Sequence, residues 1–209
     1  MSNTIQAPIT KQISKELSKH NDIRVDEFYW LKDRENQEVI DYLNDENNYY
    51  DAKTAHTKDF QNSLFEEMKS RIKEDDSSVP YKFNGYWYIT RYEKGKDYPI
   101  YTRKKESLEA AEELLFDCNE MAKDHSYFTL VGLNINLNND LVSYGIDTTG
   151  RRQYTLHIKD LKTNTVFKDE ISNTTGGSTW ANDNKTLFYT LKDETTLRSE
   201  AIYKHQLDT

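Results

Sequence analysis

From residue 76 onward the chain is a succession of short strands separated by tight turns, and the succession repeats itself. Val79-Pro80-Tyr81-Lys82-Phe83 runs into Asn84-Gly85, a strong hairpin signal, and Tyr86 to Tyr92 follows as a second strand. After the turn Lys94-Gly95-Lys96-Asp97, a third strand spans Tyr98 to Lys104 and a fourth Leu114 to Cys118. The next unit runs through Val131 to Asn136, Leu141 to Ile146, Gln153 to Asp160 and Val166 to Ile171. Its turns are Asn138-Asn139-Asp140, the loop 147–152 and Thr163-Asn164. A third unit starts at Ser178-Thr179-Trp180, turns at Asn182-Asp183-Asn184 and continues through Thr186 to Leu191 and Glu200 to His205. Asn139 through Tyr144 aligns with Asn184 through Tyr189 at an offset of 45, and Leu161-Lys162-Thr163 aligns with Leu207-Asp208-Thr209 at 46.

A period of about 40 to 50 residues with four antiparallel strands per unit is the mark of a β-propeller. Such a ring closes with roughly four to eight blades, and the alignment puts Thr209 before the last strand of its unit. The 209 residues are therefore expected to hold two blades and most of a third, and to be a piece of a longer protein.

Before residue 76 the period is helical. Val39, Leu43 and Tyr50 share one face, and Phe60, Leu64, Met68 and Ile72 recur every four residues with Phe65 beside them. The spacing predicts a helix pair, or one kinked helix, over 36–73, with an apolar stripe that needs a surface to lie on. The expected class is mainly β with an N-terminal α-helical extension. Residues 1–75 form the extension, and 76–209 the first two to three four-stranded blades of a partial propeller.

Composition fits thin blades. Leu, Ile, Val and Phe number 44 of 209, whereas 15 Tyr and 3 Trp supply packing area with a wet polar edge. No segment is apolar enough for a membrane helix, and the N-terminus lacks an apolar signal core. Neither a membrane nor secretion is expected, and the location is read as cytoplasmic. Net charge of −8, from 28 Lys+Arg and 36 Asp+Glu, argues against nucleic acid as a partner. Cys118 is the single cysteine, so an internal disulfide and a multi-cysteine zinc site are excluded; it reads as a small buried hydrophobe.

No catalytic residue is assigned. Gly176-Gly177-Ser178-Thr179-Trp180 approaches a nucleophile elbow but lacks the closing glycine and leads into a strand, so Ser178 reads as a connection between blades. His20, His56, His125, His157 and His205 show no metal-binding spacing, and no phosphate- or dinucleotide-binding motif is present; no metal and no cofactor are expected. Glu66-Glu67 and Asp75-Asp76 read as solvated charge. Arg151-Arg152, after Gly150 in a loop between two strands, has the chemistry of a carboxylate clamp at an interface, with an ordinary solvated loop as the alternative.

The segment His20 to Asp33 (HNDIRVDEFYWLKD), with Val39, Tyr42-Leu43 and Glu46-Asn47, resembles the N-terminal signature of the prolyl oligopeptidase family of serine peptidases. Leu64 to Met68 (LFEEM), Arg71 to Tyr81 (RIKEDDSSVPY), Gly85 to Tyr88 (GYWY), Tyr98 to Tyr101 (YPIY) and Gly150 to Thr155 (GRRQYT) are similar to its oligopeptidase B branch. The likeness runs from about residue 8 to the C-terminus.

The resemblance implies that the helices belong to an α/β-hydrolase catalytic domain supplied by further chain and that the strands open a seven-bladed propeller. The implied activity is cleavage of short peptides after Lys or Arg, with the propeller restricting entry to small substrates. The implied partners are short basic peptides and the C-terminal catalytic domain. The Ser, Asp and His triad and the residues selecting a basic side chain would lie beyond residue 209, so the chain alone is expected to be inactive. Arg151 and Arg152 are expected to contribute to the contact between propeller and catalytic domain. A proline-specific peptidase of the same family and a non-catalytic propeller serving as a binding module are the alternatives.

Overall fold

The computed structural model describes residues 5–207. Asp208 and Thr209, on which the second of the two repeat alignments rests, lie outside the described residues. The chain divides into two compact units, Met1–Ile72 and Lys73–Thr209.

The first unit contains an antiparallel hairpin, β1 (Lys15–Lys19) and β2 (Asp22–Asp26), where the reading of residues 1–75 as helical had no strand. Its two turn residues, His20 and Asn21, have φ of 54° and 64°. That pair of left-handed conformations matches the twist of a two-residue hairpin, yet without glycine it leaves a weak trace in the sequence. The Trp30 indole N–H donates to the Lys11 carbonyl at 3.1 Å, and the Ile13 amide to the Glu27 carbonyl at 2.9 Å, fastening the leading segment beside the hairpin.

Two helices follow, α1 (Gln37–Thr54) and α2 (Lys58–Ser70), joined by a single 3-10 turn at Ala55–Thr57. Asn36 caps α1 by accepting the Glu38 amide at 3.0 Å. Of the apolar residues read onto the helix faces, Val39 is buried, whereas Phe60, Leu64, Met68 and Ile72 are 69%, 41%, 54% and 67% exposed. The stripe on α2 therefore has no cover among the described residues.

The second unit contains two antiparallel sheets. In the first, β3 (Tyr81–Phe83), β4 (Tyr86–Arg91), β5 (Ile100–Lys105) and β6 (Glu112–Asp117) lie in chain order as a four-stranded meander. A short helix, α3 (Cys118–Met121), is capped by the Asp117 carboxylate. The second sheet carries six strands in chain order: β7 (Thr129–Ile135), β8 (Leu141–Asp147), β9 (Tyr154–Asp160), β10 (Ile171–Trp180), β11 (Thr186–Lys192) and β12 (Ser199–Gln206).

Strand β10 corrects the sequence reading at one place. Val166 makes only an isolated bridge to Lys159, and the fourth strand of the second blade is instead the start of β10, with Ile171 opposite Leu156 and Thr174 opposite Tyr154. The same strand then becomes the first strand of the third unit, with Ser178 opposite Tyr189 and Trp180 opposite Leu187. Gly176, at φ +85°, sits in the register shift between the halves, so the glycine pair bends a continuous strand where a break between blades was expected.

The bend lets the sheet curl back on itself. A Cβ on Gly132 would lie 2.1 Å from the Gly176 carbonyl oxygen, and one on Gly145 would lie 2.6 Å from the Gly176 Cα. Only glycine permits β7, β8 and β10 to approach backbone to backbone. Across this contact the Trp180 indole N–H donates to the Asn134 carbonyl at 2.9 Å, and the Ser143 and Ser178 hydroxyls are 2.8 Å apart.

The core follows the aromatic composition. Tyr88, Leu115, Phe116, Cys118, Phe128, Leu130, Val142 and Tyr144 form one buried cluster, and Ile158, Trp180 and Leu187 another. The Phe116 and Tyr144 rings meet at 4.5 Å between centroids, joining β6 to β8 across the two sheets. Arg103, on β5, is 5% exposed; its guanidinium binds Glu113 at 2.7 Å, lies over the Tyr86 ring at 4.1 Å and donates to the Asn139 carbonyl at 3.0 Å. These are meander blades of a propeller packed face to face, preceded by a helical element.

Candidate functional site

The loop after β8 is built around a buried carboxylate. Asp147 ends the strand with 1% exposure. Its Oδ1 accepts the Thr149 amide and hydroxyl, both at 2.8 Å, and the Gly150 amide at 3.1 Å. Its Oδ2 accepts the Arg152 amide at 2.7 Å. Burial alone would raise the pKa of this carboxyl, but the hydrogen bonds from Thr149, Arg152 and Gly150 outweigh it and hold the pKa below the ordinary aspartate value. The charge stays on, and the loop closes around it.

Gly150 at φ +74° and Arg152 at φ +57° reverse the chain so that Arg151 and Arg152 stand out from the sheet end. A Cβ at Gly150 would lie in ordinary van der Waals contact with the Tyr127 ring, 3.5 Å away, so it is the positive φ that favours glycine here. Both arginines are exposed, and among the described residues neither guanidinium has an ion-pair partner. Lys192, on β11, donates its ammonium to the Arg152 carbonyl and lies 5.6 Å over the Tyr154 ring, adding a third cation. On a chain of net charge −8 this is a concentrated basic corner with its forks free for carboxylates.

The sequence reading singled out the two arginines but neither Asp147, which shapes their loop, nor Lys192, which joins them from another strand. The Asp-x-Thr-Gly order of 147–150 is the signal that points to Asp147, because that pattern folds a loop onto its own carboxylate. Nothing in the sequence brings Lys192 close to Arg152, since that proximity comes from the bend in β10.

The other residues considered for chemistry lie apart. Ser178 is inside β10, its hydroxyl engaged with Ser143. Glu67 pairs with Arg71, and Asp76 with Lys73 at 3.1 Å, on exposed ground. Cys118 is 1% exposed, and burial pushes its thiol up to about 12, with the Asp117 charge adding to the shift. Among the described residues no cluster of His, Cys, Asp or Glu is placed to hold a metal ion, and no helix is long and apolar enough to cross a membrane.

Comparison with known proteins accounts for this architecture. Residues 8–209 match the family described as prolyl oligopeptidase, N-terminal beta-propeller domain. The chain is 40% identical to dipeptidyl aminopeptidase BI of Pseudoxanthomonas mexicana, over 91% of this chain and 29% of that protein. It is 32% identical to Protease 2 of Moraxella lacunata, over 97% of this chain and 30% of the relative. Among solved structures, oligopeptidase B from Leishmania major superposes with a TM-score of 0.88 at 30% identity, covering 98% of this chain and 31% of that one. The chain thus spans about three-tenths of the length of the relatives it matches. With its blades, its helical element and a family match over almost all its residues, the chain belongs to the prolyl oligopeptidase family, in the part described as the N-terminal β-propeller domain.

Proposed function

We propose that this chain is the N-terminal part of a serine peptidase of the oligopeptidase B type, which hydrolyses short peptides after Lys or Arg. The observation that carries the reading is the likeness to oligopeptidase B from Leishmania major over 98% of the chain, joined to a 32% identical relative named Protease 2. On this reading the catalytic triad lies in further chain and the propeller admits only small substrates. The exposed stripe of α2 packs on the catalytic domain, and Arg151 and Arg152 meet carboxylates of that domain. The exposure of the stripe and the unpaired guanidiniums support these assignments. The same reading places the enzyme in the cytoplasm, where a reduced thiol such as that of Cys118 is stable.

One observation favours a second reading: the relative with 40% identity is named a dipeptidyl aminopeptidase. An enzyme of that kind releases dipeptides from a free N-terminus. An N-blocked chromogenic peptide ending in Arg separates the two in the longer protein. Hydrolysis of the blocked substrate supports the endopeptidase, whereas hydrolysis of only the unblocked counterpart supports dipeptide release. Preference for a Pro-ended substrate would overturn the basic specificity. The 209-residue chain alone is expected to hydrolyse none of them.

A further inference from the structure

The turns at one end of successive sheet units carry asparagines in the left-handed region: Asn84 at φ 45°, Asn139 at 60° and Asn184 at 57°. Their side-chain amides bond to the backbone of the neighbouring turn. Asn84 Nδ2 donates to the Leu137 carbonyl at 2.8 Å, and Asn139 Nδ2 returns a bond to the Asn84 carbonyl at 3.1 Å, tying the first sheet to the second. The Asn138 amide donates to Asn184 Oδ1 at 3.2 Å, tying the second blade to the third. Arg103 donates to the Asn139 carbonyl at the same turn. The hydrogen bonds form a string along one rim of the blades.

Only one of these three asparagines is followed by glycine. Asn84 is exposed, and the space where Gly85 would carry a Cβ is empty for 4 Å. Gly85 brings no Cβ to crowd the approach of its backbone nitrogen to the Asn84 carboxamide carbon. We propose that Asn84 is a spontaneous deamidation site and that its conversion removes one of the ties that hold the first sheet to the second at this rim. The Gly85 nitrogen, losing its proton, attacks Asn84 Cγ; the new C–N bond forms as the Cγ–Nδ2 bond breaks, and ammonia leaves with the transferred proton. Water then opens the succinimide to aspartate or isoaspartate.

The product changes the rim in a defined way. The Nδ2 donor to Leu137 becomes a carboxylate oxygen, so an acceptor carrying negative charge faces a carbonyl. Isoaspartate also lengthens the backbone of a two-residue turn whose register pairs Phe83 with Tyr86.

The 209-residue chain, aged at mildly alkaline pH and mapped by peptide mass spectrometry, should accumulate deamidation at Asn84 ahead of Asn138, Asn139, Asn182 and Asn184. The variant Asn84→Asp should lower Tm by about 3–6 °C and quicken amide exchange at residues 137–139. Asn84→Gly keeps the turn and removes only the side-chain tie, so it should show the faster exchange even if the aspartate variant does not fold. Accumulation at another asparagine with Asn84 intact would overturn the proposal. So would unchanged exchange at 137–139 in both variants.

Discussion

Asp147 shows how much one side chain organises. It is buried, it is charged, and it receives three backbone amides and one hydroxyl. Asp147→Asn replaces acceptor capacity with donors that face donors, and is expected to cost about 2–3 kcal/mol. Because the folded pKa is depressed, the stabilisation is fully present above the unfolded carboxyl value of about 4 and is lost as pH falls through the folded value. Denaturant titrations of the two proteins should therefore differ most at neutral pH and converge in acid; a constant difference would contradict the assignment. At Cys118 the opposite shift applies, since burial disfavours the thiolate. A thiol reagent at pH 8 should leave the native chain unlabelled and label it fully in denaturant.

At the scale of elements, the glycines of the second sheet decide the outcome. Gly132→Ala would set a methyl group 2.1 Å from a backbone oxygen at a φ of +66°. Neither neighbour can withdraw without opening the contact between β7 and β10, so a loss of about 3 kcal/mol or more is expected, measurable as a fall in the denaturant midpoint. These glycines also mark the limit of sequence reading. The meander from Tyr81 to Asp117 was legible because Asn84-Gly85 and the strand alternation state it locally. β10 was not, because Gly176-Gly177 looks like a break while the partners that turn it into a bend, Gly132 and Gly145, are 30 to 45 residues away. The hairpin of β1 and β2 escaped for a different reason: His20-Asn21 adopts a glycine-like turn with no glycine to announce it. The basic corner was half legible, its arginines adjacent in sequence and its lysine brought in only by the fold.

At the scale of the molecule, the lean core and the exposed stripe have separate causes. Thin blades pack aromatic against aliphatic faces and need few aliphatic residues, whereas α2 keeps Phe60 and Met68 in water because nothing among the described residues covers them. Replacing these two with Ser should change the stability of the 209-residue chain by no more than about 0.5 kcal/mol per site. In the longer protein proposed above, the same changes are expected to impair folding or activity, and equal tolerance in both would contradict a covering domain. The most direct measurement is the activity of the longer protein against the N-blocked, Arg-ended chromogenic peptide, with and without a serine-directed inhibitor. Hydrolysis that the inhibitor abolishes is the expected result; a folded longer protein that leaves both blocked and unblocked peptides intact would contradict the reading of this chain as part of a serine peptidase.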